Sequence, residues 1–206
     1  QGNTYKVYCS TRSPGSGSFA NVCIAKASGI SSTGTFTATI THAQTSGNYL
    51  TAGGVSFSGL SNTKVDRFAI ATGSSTSIDA SVSLSLATTQ ADEVVFGVMA
   101  LEENDPTGNI TTPGGYTSVM KDNNCQRLCG DIAYKVVTTT GTQSAAWTHD
   151  NTGGSWTAMI VSFSSGVSYK TMALLDAAVL STQDGTSDTQ HTLSTTISTG
   201  ACIAVI

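Results

Sequence analysis

Two histidines occupy matching surroundings, Ile40-Thr41-His42 and Trp147-Thr148-His149. A histidine so placed is a candidate base or metal ligand, but neither is accompanied by a nucleophile motif such as G-x-S-x-G. Both read as partly exposed strand-end residues with a hydrogen-bonding role. Glu102-Glu103-Asn104-Asp105 is the densest acidic cluster. Carboxylates and carbonyls on a loop suit calcium, yet the D-x-D-x-D-G ladder is missing, and a solvated loop is the simpler reading. Asp92-Glu93 read as turn residues. No carboxylate pair stands at glycosidase-like positions and no glycine-rich phosphate loop occurs. The expectation is a protein that is not an enzyme, with no catalytic residue, cofactor or metal.

Five cysteines fall at 9, 23, 125, 129 and 202. Cys9/Cys23 and Cys125/Cys129 lie just upstream of the similar segments Ala25-Lys26 and Ala133-Tyr134-Lys135, so each pair is expected to close a local loop by a disulfide. A metal site is the rival, disfavoured because no histidine lies near either pair. Cys202, inside the apolar run ACIAVI, reads as a buried thiol. Disulfides imply an oxidising compartment, hence an extracellular, cell-surface or virion-surface location. Asn109-Ile110-Thr111 is a possible glycosylation sequon on a loop. Trp147, Trp156, Tyr49, Tyr116 and Tyr134 could stack on sugars, although core packing explains most of them, since Trp156 and Tyr49 begin matching strands.

The elements that would position these residues are set by an internal repeat. Residues 25–59 resemble 133–165: Gly34 matches Gly141, His42 matches His149, and Val55-Ser56-Phe57 matches Val161-Ser162-Phe163. The histidines are 107 positions apart, a whole domain rather than a solenoid rung. Residues 84–99 are echoed by 193–206, with Leu84 paired to Leu193. The expected organisation is a complete repeat of about 107 residues at 60–166, the latter part of another at 1–59, and the first part of a further one at 167–206. The opening at Gln1, with no Met or signal peptide, reads as a processed or truncated chain. The two end pieces complement each other. Either the C-terminal strands complete the N-terminal piece of a neighbouring copy, or the chain folds back and closes on itself, or the sequence is an excerpt of a tandem array.

Strand alternation is legible at 35–41, where Phe36, Ala38 and Ile40 face one way and threonines the other. Strands are also expected at 55–57, 82–86, 94–99, 132–137, 145–148, 156–163 and 201–206, with turns at 46–48, 113–115 and 152–154. The helical-looking stretch 171–180 reads as a strand, because its counterpart is rich in serine and threonine. The fold class is therefore all-β: antiparallel two-sheet sandwich repeats.

Composition agrees. Charged residues are 11% of the chain, far below the usual quarter, so the surface is hydroxylated rather than ionic. Nine scattered cations in a chain of net charge −4 leave no face for phosphates, so nucleic acid is not an expected partner. No apolar run is long enough for a membrane span.

The motifs Gly115-Tyr116-Thr117, Ala133-Tyr134-Lys135, Trp147-Thr148-His149 and Trp156-Thr157-Ala158-Met159-Ile160-Val161-Ser162-Phe163 resemble tandem β-sandwich repeats, immunoglobulin-like or jelly-roll-like, of large bacterial surface proteins and phage structural proteins. The resemblance covers the complete repeat and, more weakly, both partial ones. It implies a spacer or fibre building block and carries over no binding residues. The expected function is a structural subunit of an extracellular fibre that binds copies of itself. A carbohydrate-binding adhesin or virion-surface module binding surface glycans is the alternative, and a secreted hydrolase a distant third.

Overall fold

The computed structural model describes residues 5–10, 20–30, 34–41, 50–75, 79–102, 109–123, 128–149, 154–165, 173–182, 190–197 and 200–205. All regular structure among them is β. The strands are β1 (Lys6–Cys9), β2 (Cys23–Ile30), β3 (Gly34–Thr41), β4 (Leu50–Ser58), β5 (Leu60–Ser75), β6 (Asp79–Ser83), β7 (Glu93–Glu102), β8 (Ile110–Thr111), β9 (Thr117–Asp122), β10 (Leu128–Val137), β11 (Ser144–His149), β12 (Gly154–Ser165), β13 (Ala173–Thr182), β14 (Gln190–Ile197) and β15 (Gly200–Val205). The stretch that looked helical is the strand β13.

These strands form two five-stranded sheets, one of three strands and one of two, with every described pairing antiparallel. One five-stranded sheet has the order β5-β12-β7-β10-β9 and draws all its strands from residues 60–165; we call it the contiguous sheet. The other has the order β1-β2-β15-β4-β13 and combines strands from both ends of the chain; we call it the composite sheet. The small sheets are β6-β11-β8 and β14-β3.

Sequence pattern explains the layering. β11, SAAWTH, alternates exposed and buried along its length, as expected of a sheet with one face in water. β7, EVVFGVMALE, is buried at nine successive positions, and β12 at nine as well, so the contiguous sheet is covered on both faces. On one face, Val94, Phe96, Val98 and Ala100 of β7 meet Ile24, Val55 and Phe57 of the composite sheet. On the other, Val95, Met99 and Leu101 meet Val82, Ile110, Ala145 and Trp147 of the three-stranded sheet. The strand's two-residue period thus feeds two cores, and the expected two-sheet sandwich is one part of a thicker stack.

Both cores need close backbone approach. A Cβ on Gly53 of β4 would meet Ile132 Cδ1 at 2.8 Å, and one on Gly97 of β7 would meet the Trp147 ring at 2.9 Å. Phe57 anchors the core between the five-stranded sheets, edge-on to Phe96 at 5.4 Å and to Tyr134 at 4.9 Å between ring centroids. In the other core Trp147 donates its indole N–H to Asp131 Oδ2 at 3.0 Å, and Ser118 donates to Asp131 Oδ1 at 2.6 Å. That satisfies a fully buried carboxyl group.

Some elements depart from the expected positions. The strand expected at 82–86 is β6, which ends at Ser83. β5, the longest strand, was not anticipated: it is a sheet edge carrying Lys64, Asp66 and Arg67, charges that suit an edge but mask the alternation. The turn at 113–115 is present, with Tyr116 N–H bonded to Pro113 O at 3.1 Å and Gly115 at φ 78°, the glycine position of a type II turn. The expected turns at 46–48 and 152–153 lie outside the described residues.

Candidate functional site: the seam of the composite sheet

β15 supplies a central strand of the composite sheet, flanked by β2 and β4. Ala204 lies opposite Ala25 on one side, and Ile203 lies opposite Val55 on the other. β13 adds to the far side of β4, with Ala177 opposite Val55. Without residues 173–205, β2 and β4 would face each other across a gap, each with a bare backbone edge.

The contiguous sheet shows the same arrangement with local strands. Reading β9, β10, β7, β12, β5 against β1, β2, β15, β4, β13 gives the same order. Val161 has Phe96 and Phe68 opposite it, as Val55 has Ile203 and Ala177. Ala133 faces Gly97 as Ala25 faces Ala204. In the small sheets Ala145 faces Val82 as Ala38 faces Leu193. The sequence pairing of Leu84 with Leu193 is therefore two residues out of strand register. The connection after β6 is longer than that after β14, so a leucine match cannot follow both strands.

Chain crossings between the two five-stranded sheets share one corner. Gly59, at φ 80°, is the single residue between β4 and β5. Beside it, Ser165 at the end of β12 pairs with Leu60, and Ala173 at the start of β13 pairs with Ser58. Positions 166–172 thus link the contiguous sheet to the C-terminal strands.

That corner is tied to the loop before β7. Ser165 N–H donates to Asp92 O at 3.1 Å, and Gln90 Nε2 donates to Ser165 O at 3.4 Å. Asp66 accepts from Thr89 N–H at 2.8 Å and from the Thr89 hydroxyl at 2.5 Å. Arg67 Nε donates to Ala87 O at 3.0 Å, and its Nη1 to Asp66 O at 3.3 Å. Glu93, read from sequence as a turn residue, is instead the first residue of β7 and fully buried; only Asp92, at φ 59°, has turn geometry. Burial raises the Glu93 carboxyl to about 7; the Ser162 hydroxyl opposes this and neighbouring Asp66 adds to it. Burial also acts to raise Asp66, but the Thr89 hydrogen bonds, with Glu93 and the Arg67 charge, together hold Asp66 below the usual carboxylate value.

On the seam itself, Lys26 of β2 lies opposite Ile203 and Lys6. Its ammonium stands 4.9 Å from the centre of the Phe163 ring, reaching from one five-stranded sheet to the other. Burial, with Lys6 adding repulsion, lowers it to about 8.

The residues singled out from sequence are dispersed. Cys9 and Cys23 form a disulfide between directly opposed positions of β1 and β2, with Cα atoms 4.1 Å apart. Cys129 is also disulfide-bonded, while Cys125 lies outside the described residues. Cys202 is in β15 opposite Ser56. His149 ends β11, opposite Ile110 of β8, and is buried, not partly exposed; His42 lies outside the described residues. Trp147 and Trp156 are buried in one core and Tyr134 packs on the other, which leaves no tryptophan face open to a sugar. Tyr116 packs against the Trp147 core and donates its hydroxyl to Ser144 O at 3.0 Å. Tyr49 lies outside the described residues. Asn109 is exposed immediately before β8. Glu102 ends β7, and 103–105 lie outside the described residues. No group of three or more metal-binding side chains occurs among the described residues, nor any helix long and apolar enough to cross a membrane.

The seam and the corner were the parts sequence reasoning did not locate in detail. An acidic residue abutting a long apolar run, Glu93 before VVFGVMAL, was the available signal. Scans against protein-family models, curated proteins and solved structures found no match to this chain.

Proposed function

We propose that this chain is a structural subunit of an extracellular fibre or filament, assembled from repeated β-sandwich units and joined by exchange of β13–β15 between copies. The observation that carries this reading is the position of β15: a central strand, delivered from a remote part of the chain, into a sheet whose twin is completed locally. A second copy presents the same edges in the same register, so the hydrogen bonds gained within one chain are equally available between chains. The disulfides fit an oxidising, extracellular setting.

Linker length decides which closure wins. From Ser165, beside Leu60, to Ala173, beside Ser58, the distance to cover is at most about 17 Å, the sum of two cross-strand spacings and two chain steps. The linker's eight chain steps reach about 27 Å, so self-closure is unstrained and favoured at low concentration by its high effective concentration. Deleting all of 166–172 leaves a single chain step of about 3.8 Å between Ser165 and Ala173, too short for self-closure. The expected result is conversion from a monomer in dilute solution to elongated multimers, seen by light scattering and electron microscopy. A deletion variant that stays monomeric and folded contradicts the proposal.

A further inference from the structure

We propose that the carboxyl groups of Glu93 and Asp66 share a proton that keeps a clasp closed at the base of the β13–β15 segment, and that loss of this proton frees the segment to exchange between copies. This rests on the strand-exchange reading above and supplies its regulation.

Glu93 is fully buried, and neither carboxylate oxygen has a hydrogen-bond partner. An ionised carboxylate in that position would be desolvated and unpaired, so the neutral acid is the form the site accommodates. Among the described groups around it, no cation is hydrogen-bonded to the Glu93 carboxylate. From β5 come Asp66 and Arg67; the Arg67 guanidinium is committed to the carbonyls of Ala87 and Asp66. From β12 comes Ser162, whose oxygen accepts the Arg67 N–H at 3.2 Å. The preceding loop contributes Gln90 and Asp92, and Gln90 points its amide at Ser165. β10 places Val137 opposite Glu93, while Lys135 on that strand sits over the Tyr116 ring, 4.6 Å from its centre. Ser162 and the Gln90 backbone lie near enough to favour the charged form, but neither is aligned into a hydrogen bond. What remains is the acid's own proton, which the neighbouring Asp66 carboxylate is able to accept.

The connection to the linker is direct. Asp66 holds Thr89 through two hydrogen bonds, the next residue Gln90 holds Ser165, and Asp92 O holds the Ser165 N–H. Ser165 is the last residue of β12, immediately before 166–172. Transfer of the Glu93 proton to hydroxide or water leaves two adjacent carboxylates, one buried, whose repulsion acts on the strand start and the loop that pin Ser165.

The test uses the whole chain and two readouts across about pH 4.5 to 8.5, a range spanning both the ordinary and the raised carboxyl. One is hydrogen-exchange protection of the Ser165 amide, corrected for the intrinsic rise of exchange with pH. The other is the rate at which differently labelled copies form mixed species. Wild type should lose protection and gain mixing by up to about tenfold per pH unit as the pH rises from the ordinary carboxylate range towards about 7, where Glu93 titrates in the closed state, and level off above it, and Glu93→Gln, neutral at every pH, should show neither change. Asp66→Asn, which removes the second charge, should keep only a smaller step at lower pH, the part that burial alone supplies. Wild type and Glu93→Gln with the same protection profile overturn the clasp; should Glu93→Gln not fold, a wild-type step retained in Asp66→Asn does so. A pH step in protection without mixing at any pH supports the clasp and sinks the strand-exchange reading alone.

Discussion

In the contiguous sheet all five strands come from residues 60–165, and the covering strands β6, β8 and β11 come from the same stretch. In the composite sheet β2 and β4 are held together by β15, more than a hundred residues further along the chain. The two sheets share strand order and register, so their folded geometry makes similar demands on side chains. Their demands on the chain differ. Closing the second means bringing remote segments together, an ordering step paid in loop entropy and slow to reach. One unit is thus complete once its own residues are present, while the other depends on a donor segment whose identity the sheet itself does not specify.

The largest expected effect breaks that comparison at the donor. Ending the chain after Ser165 removes β13–β15, and residues 5–58 should exchange their amides as an unfolded chain while β11 keeps protection in its own core. Protection of 5–58 that survives the truncation would show that the composite sheet does not need its central strand. Next comes the shared core. Phe57→Ala, deleting a fully buried ring between the two sheets, should cost about 3–5 kcal/mol in denaturant unfolding. A loss below about 1 kcal/mol, the range of surface sites, would mean that the two sheets do not pack as one. Third, reducing Cys9–Cys23, which closes a separation of 14 residues, should lower stability by about 3 kcal/mol without changing far-UV strand content. Unchanged melting after verified reduction counts against that crosslink as a stabilising element.

Much of this comparison was legible before any coordinates. Val55-Ser56-Phe57 and Val161-Ser162-Phe163 mark equivalent strands because both place valine and phenylalanine on one face around a serine. The threonine-rich alternation at 35–41 gave β3 almost to its ends. Three things were hidden, each for a physical reason. The apolar run 94–101 signals burial but not which two layers cover it. Charges on β5 obscured a strand that tolerates them only because it is an edge. Glu93 looked like a turn residue because a carboxyl group at the end of an apolar run is ordinarily solvated; instead it sits in a central strand between β10 and β12, a placement that no local pattern encodes.

In the proposed strand exchange, β15 closes the composite sheet in the observed register, from its own chain when dilute and from a neighbour when concentrated. Cys202 lies directly opposite Ser56, whose buried hydroxyl makes no hydrogen bond, so Ser56→Cys adds a second thiol across the seam with little loss of stability. Under oxidation, the thiol introduced at position 56 should crosslink to Cys202 of the same chain at low concentration and give a ladder of covalent multimers at high concentration. The absence of that crosslink at either concentration, in a folded variant, would contradict it.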